Sequence, residues 1–229
     1  MELKDVPLSR ERWKKTARIV SSRFPPVGLF DRVADLADLE AVYYIEGLTN
    51  PRLREEAGDL QLVGPEDRVS GPGTTAIMAA FTHPNPEGSR FSDGSYGVYY
   101  CARTVETAIH ETRHHREHFL RYSSEAPTML EMRVYYADLR KSLHDLRGPR
   151  KKKPAWLDPD SYAASQKLGR AFKDSQSYGI LYPSVRQPGG ECAAVLRPTA
   201  LSPARQGEHY GYYWDGHRIT NVAKIVPVL

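Results

Sequence analysis

The chain has 229 residues, 40% of them hydrophobic and 26% charged, with a mean hydropathy of -0.56. That suffices to bury one sizeable core and excludes a disordered or membrane-spanning chain. The 32 Lys and Arg against 28 Asp and Glu give a net charge of +4, which fits an anionic ligand or an acidic partner and falls short of a dedicated nucleic-acid binder.

The N-terminus MELKDVPLSRERWKK lacks the apolar run and small-residue cleavage site of a signal peptide, so a cytoplasmic chain is expected. Residues 9–22 are charged with scattered apolar positions and read as a helix through Arg18-Ile19-Val20, stopped by Pro25-Pro26. Residues 31–39 have helical spacing, and AVYYIEG after them reads as a strand. Gly71-Pro72-Gly73 opens a turn, with Thr74 or Thr75 as N-cap of the helix AIMAAF.

Beyond the turn Ser92-Asp93-Gly94-Ser95, the aromatic and β-branched run YGVYYCA predicts a strand. Thr104 caps a helix over 105–121, with Glu106 suited to the dipole of its first turn. MLEMRVYYADL is a strand and RGPRKKKPAWLDP a basic, proline-broken loop. A helix over 161–172 follows, then the strands SYGILYPSVR and ECAAVLRP. HYGYYWDGHRIT predicts a hairpin about its Asp-Gly turn. Helices and strands mix without βαβ alternation, so an α+β single domain spanning 1–229 is expected. Cys101 and Cys192 form no C-x-x-C pair and read as buried thiols.

The run AIHETRHHREH contains the His-Glu-x-x-His pattern of zinc proteases. His110 and His114 have the ligand spacing, and Glu131 is the downstream carboxylate available as third ligand. On a wheel advancing about 100° per residue, Val105, Ala108, Ile109, Thr112, Phe119 and Leu120 share one face. His110 and His114 fall nearly opposite, on the solvent side with His118, whereas Glu111 and His115 lie at the border of the apolar face. Arg113 and Arg116 also oppose a divalent cation. No metal is therefore expected, and the zinc peptidase is kept only as an alternative.

A longer pattern includes the same helix. RFSDGSYGVYYCARTVETAIHE resembles the signature of the RES-domain family, toxins of bacterial toxin–antitoxin pairs. It supplies Arg90-Phe91, a glycine-containing turn, Tyr100-Cys101-Ala102 and Ala108-Ile109-His110-Glu111, and Ser184 in Tyr182-Pro183-Ser184 is the third signature residue. RIVSSRFPPVGLFDRVA and the MAAF helix extend the likeness, so that residues 88–200 form the signature-bearing core and 1–85 an N-terminal extension. Two positions depart: Ala17 precedes Arg18 where members often carry an aromatic, and Gly189-Gly190-Glu191 stand where many carry an asparagine.

The resemblance implies an ADP-ribosyltransferase-like split β-sheet core with flanking helices, and NAD as substrate with no cofactor. Cleaving the nicotinamide–ribose bond develops positive charge on the sugar, which a carboxylate can stabilise. That role falls to Glu111. Arg90 is expected to grip the pyrophosphate or ribose, Tyr100 to pack on the nicotinamide or its ribose, Ser184 to hydrogen-bond the ligand from the far wall, and Arg18 to join the NAD-contacting set. Transfer of ADP-ribose to a protein acceptor is the leading expectation, with NAD phosphorolysis or hydrolysis as the alternative. The implied partner is a cognate Xre-like helix-turn-helix antitoxin, with no direct binding of nucleic acid or membrane expected. A non-catalytic module using residues 147–153 and the C-terminal hairpin is a third possibility.

Overall fold

The computed structural model describes residues 3–22, 31, 58–148 and 154–226. The expected stop at Pro25-Pro26, the helix at 31–39 apart from Asp31, the AVYYIEG strand and residues 149–153 of the basic loop lie outside the described residues. Among the described residues, eight strands, β1 (Thr16–Ser21), β2 (Tyr99–Ala102), β3 (Thr128–Ala137), β4 (His144–Asp145), β5 (Gly179–Pro183), β6 (Glu191–Val195), β7 (Arg205–Trp214) and β8 (Ile219–Ile225), form one sheet ordered β4-β5-β6-β2-β1-β3-β7-β8. Only the β4–β5 pair is parallel among these neighbours. With α1 (Thr75–Thr82), α2 (Val105–Tyr122) and α3 (Ala163–Asp174), this is the expected α+β architecture. Among the described residues, no helix is long and apolar enough to cross a membrane.

The sheet is narrowest at its centre. β1 pairs with β3 along its whole length but meets β2 through the single pair Ala17↔Ala102. Residues 16–21 are thus a strand, where the local pattern predicted a helix. Ile19 and Val20 are β-branched and stiff at χ1, and six consecutive pairs with β3 offer the backbone what an isolated charged helix cannot. Long-range pairing overrides the weak local preference.

Alternation along the strands builds a core on each face. Ala17, Ile19, Ala102, Tyr182, Cys192 and Ala194 pack with Ala108 and Leu120 of α2 and Phe172 of α3 on the first face. Tyr99, Cys101, Leu181, Ala193 and Val195 pack with Ile77, Met78 and Phe81 of α1 on the second. Both cysteines are buried and free, as expected. The Asp-Gly hairpin joins β7 to β8, Asp215 accepting from the backbone N–H groups of His217 and Arg218.

At one helix end the expected cap position holds with a different side chain serving it, and at another an expected burial fails. Thr74 is the N-cap of α1 but makes no side-chain capping bond; Asp31 Oδ1 instead accepts from Thr75 N at 2.8 Å and Thr75 Oγ1 at 2.8 Å, a cap supplied from a distant segment. On α2, Leu120 is buried but Phe119 is 59% exposed, although the wheel placed both on the apolar face. A wheel gives direction; whether an element lies there to cover the side chain is decided by the tertiary fold.

Candidate active site

The helix α2 begins at Thr104, whose hydroxyl accepts from Thr107 N at 3.2 Å. One turn further on, Glu111 leaves the border of the apolar face toward the end of β5. There Pro183 closes the strand, and the chain turns at Ser184. Ser184 Oγ accepts from Arg186 N at 3.1 Å and Gln187 N at 2.9 Å, and donates to Glu111 Oε1 at 2.5 Å. A hydroxyl has one proton and two lone pairs, so this set uses all three. The structure thus brings Glu111 and Ser184 together but commits Ser184 to its own turn and to the carboxylate, where a ligand contact was expected.

Cys192 Sγ lies 3.8 Å from the same Glu111 oxygen. Burial, and then the charge of Glu111, push its pKa up, so it remains a thiol and a weak donor. Among the described residues, Glu111 Oε2 accepts no hydrogen bond from the protein. Half of the carboxylate is anchored and half is available.

Arg90 precedes β2 and is 6% exposed. Its Nη1 donates to Asp158 O at 2.8 Å and to Trp156 O at 3.3 Å, and its guanidinium lies 4.7 Å above the Tyr162 ring. The Tyr100 hydroxyl accepts from Phe91 N at 2.8 Å and shares a 2.8 Å hydrogen bond with Ser89 Oγ. It therefore clasps the chain on both sides of Arg90. Desolvation pushes the Tyr100 pKa up to about 12 against the opposing effect of those hydrogen bonds, so the phenol stays neutral. Arg90 and Glu111 both act electrostatically on the buried Tyr182 hydroxyl, whose pKa burial raises.

Arg18 is not part of this group. Its Nη1 donates to Tyr100 O at 3.1 Å while its guanidinium lies 4.8 Å over the Tyr99 ring, among the second-face core. Strand alternation puts it on the opposite side of the sheet from Glu111.

Charges of both signs act on the two histidines beyond Glu111: Arg90, Arg116 and Arg186 on His115, and Arg186, Glu117 and Asp160 on His114. His115, one turn beyond Glu111, is reached by water yet walled by protein. Desolvation, followed by the charges of His114, Arg186, Arg90 and Arg116, pushes its pKa down to about 4, which keeps the imidazole neutral near pH 7. Arg186 Nη2 donates to Pro159 O at 2.5 Å. Among the described residues, Arg90, Arg116 and Arg186 pair with no carboxylate, whereas Arg103, Arg113, Arg147, Arg170 and Arg197 all do. Sequence reasoning missed Arg116 and Arg186. For Arg116 a signal existed: eleven positions from Val105 at 100° each leave it about 20° from the centre of the apolar face. Arg186 had none beyond its nearness to Ser184.

The zinc pattern gathers no site. His110 and Glu131 are exposed, the His114 ring stands edge-on to His115 at 5.5 Å, and among the described residues no three His, Cys, Asp or Glu side chains come together as metal ligands. Arg147, at the start of the basic loop, is bound to Asp145, Glu11 and Glu191 and is not a free cation.

On one face of a mixed sheet the structure sets a helix carboxylate held by a serine turn, with a buried arginine acting on the same tyrosine, Tyr182. The chain belongs to the RES domain family, whose match covers residues 65–215. It is 34% identical over 204 residues to the uncharacterized protein y4oC of Sinorhizobium fredii (strain NBRC 101917 / NGR234), an alignment spanning 89% of this chain and 84% of that protein. The crystal structure of the M. tuberculosis MbcT-MbcA toxin-antitoxin complex is similar with a TM-score of 0.46 and 14% identity, covering 87% of this chain and 85% of that one.

Proposed function

We propose that this chain cleaves the nicotinamide–ribose bond of NAD. The observation that carries this reading is the half-anchored Glu111: one oxygen is fixed by Ser184, the other accepts no hydrogen bond among the described residues, and Arg90, Arg116 and Arg186 act on His115 one turn away. In the reaction the C1′–N bond breaks, nicotinamide leaves with the bonding electrons, and positive charge develops on the ribose. Glu111 Oε2 accepts a hydrogen bond from a ribose hydroxyl and stabilises that charge as it grows. Arg90, Arg116 and Arg186 supply donors for the pyrophosphate. Tyr100 holds the Arg90 turn, in place of the expected stacking on nicotinamide.

The acceptor that suits this site best is a small one: Arg90, Arg116 and Arg186, acting together on His115, favour a further anion such as inorganic phosphate, and water is the other small acceptor. That reverses the order expected from sequence, which put a protein acceptor first. The narrow β1–β2 junction fits the split sheet of the ADP-ribosyltransferase-like folds, and the family resemblance casts the chain as the toxin of a pair neutralised by an Xre-like antitoxin. Purified chain incubated with labelled NAD, with and without phosphate and with lysate, tests the whole reading. Nicotinamide release with label confined to small molecules is expected. Label on lysate protein would return the reading to protein transfer, and intact NAD under all conditions would end it. Glu111→Gln should lower NAD loss at least about 100-fold, the scale of removing one transition-state contact.

A further inference from the structure

The turn that carries Ser184 is held to α2 at a second point. Thr107 Oγ1 donates to Gln187 Oε1 at 2.6 Å, and Thr107 is only 2% exposed. The Thr104 hydroxyl lies 3.1 Å from Thr107 Oγ1. Since Thr107 gives its proton to Gln187, Thr104 is left as the donor in that pair. Gln187 N then donates to Ser184 Oγ, which donates to Glu111. The hydrogen bonds thus close a ring: from the N-cap of the helix to Thr107, across to Gln187, back along the turn to Ser184, and across again to Glu111.

Thr107 and Glu111 are four residues apart on one face of α2, about 6 Å along its axis. A single contact between turn and helix would let Ser184 and Glu111 swing together; two contacts one helical turn apart fix the angle. The approach is close, since a Cβ on Gly190 would stand 2.9 Å from Thr107 Cγ2. The turn is also closed on itself, Ser184 N donating to Gly190 O at 2.8 Å and Gly190 N to Gln187 O at 3.0 Å, so it moves as one piece.

We infer that Gln187 and Thr107 are positioning residues that set the orientation of the Glu111 carboxylate through the Ser184 turn, an inference that rests on the reading of Glu111 as the carboxylate facing the ribose. Thr107 is buried with its hydroxyl engaged on both sides, whereas the Gln187 amide nitrogen stays free as a donor among the described residues. A positioning role therefore shows as a loss in kcat at both residues, and direct capture of NAD by Gln187 as a rise in KM at that residue alone.

Steady-state NAD consumption by the full chain tests this, with thermal unfolding run on every variant. Gln187→Leu and Thr107→Val should each lower kcat roughly tenfold, a modest part of what a misplacement of about 1 Å can cause, with KM for NAD within about threefold of the parent. Thr107→Ser, which keeps the hydroxyl, should recover most of the rate. The double variant should be no slower than the slower single, because both remove the same link. Hydrogen exchange should quicken over 184–190 in Gln187→Leu while the middle of α2 keeps its protection. Unchanged kcat in both singles, a loss seen only in KM, or a loss matched by unfolding at the assay temperature would overturn the inference while an inactive Glu111→Gln left the NAD reading standing. A folded Glu111→Gln that consumes NAD at the parent rate removes that reading and this inference with it.

Discussion

At the scale of single residues, the Ser184 hydroxyl decides more than its place in a sequence motif suggests. It satisfies two backbone N–H groups and gives a charge-assisted bond to Glu111, an interaction of a kind that contributes about 1.5–3 kcal/mol. Ser184→Ala should therefore lower the melting temperature and reduce kcat by more than about tenfold, leaving KM for NAD nearly unchanged. A rise in KM with kcat intact would restore the direct ligand contact first expected of Ser184. The family resemblance singles out Glu111, and helix periodicity puts it at the edge of an apolar face. It could not show which oxygen was anchored, since the anchor lies 73 residues away along the chain.

Elements act on the site through their ends and their close approaches. The Thr104 cap starts the helix that carries both Thr107 and Glu111, and Thr104→Ala should destabilise the protein by about 1 kcal/mol, measurable in urea unfolding. Gly169 in α3 lies against the backbone of Phe91, next to Arg90, and a Cβ there would overlap the Phe91 carbonyl. Ala at an exposed helix interior gains roughly 1 kcal/mol over Gly, but overpacking against atoms that cannot yield costs about 1–3 kcal/mol. The second effect wins here, because the obstacle is main chain. Gly169→Ala should be less stable than the parent; an equal or higher melting temperature would show that α3 can move away from the Arg90 turn. Neither contact was visible in the sequence, where a glycine inside a helical pattern marks only a weak helix former.

For the whole molecule, the carboxylates and histidines with resolved shifts, the groups that titrate between acid and neutral pH, lean the same way. The Asp145 pKa is lowered chiefly by its hydrogen bond from Arg147, and that of Glu11 by hydrogen bonds from Arg147 and then Trp13. His144 is lowered by desolvation, and His115 falls to about 4. In each case the folded state holds protons less readily than the unfolded chain, so stability rises with pH wherever the unfolded state binds more of them. Stability is complete above the unfolded histidine value of about 6.5. It declines first as the histidines of the unfolded chain charge, and again as the pH falls through the depressed carboxylate values and the pairs around Arg147 are lost. Thermal melts from pH 8 to pH 4 should fall progressively below about pH 6.5, and a flat profile down to pH 4.5 would contradict these assignments. Glu11 is half exposed, so its share is reduced by solvent screening.

The sequence by itself determined the α+β class, the Asp-Gly hairpin, the cap and extent of α2, the buried thiols and the family, because each is written in local periodicity, turn chemistry or the order of a motif. Tertiary structure alone decided that residues 16–21 are a strand, that Asp31 caps α1, that Arg18 lies on the sheet face away from Glu111, and that Ser184 and Gln187 grip one helix at two points. Those outcomes depend on which distant segments supply partners for backbone and side-chain polar groups. A one-dimensional pattern records the need for such partners but not where they are found.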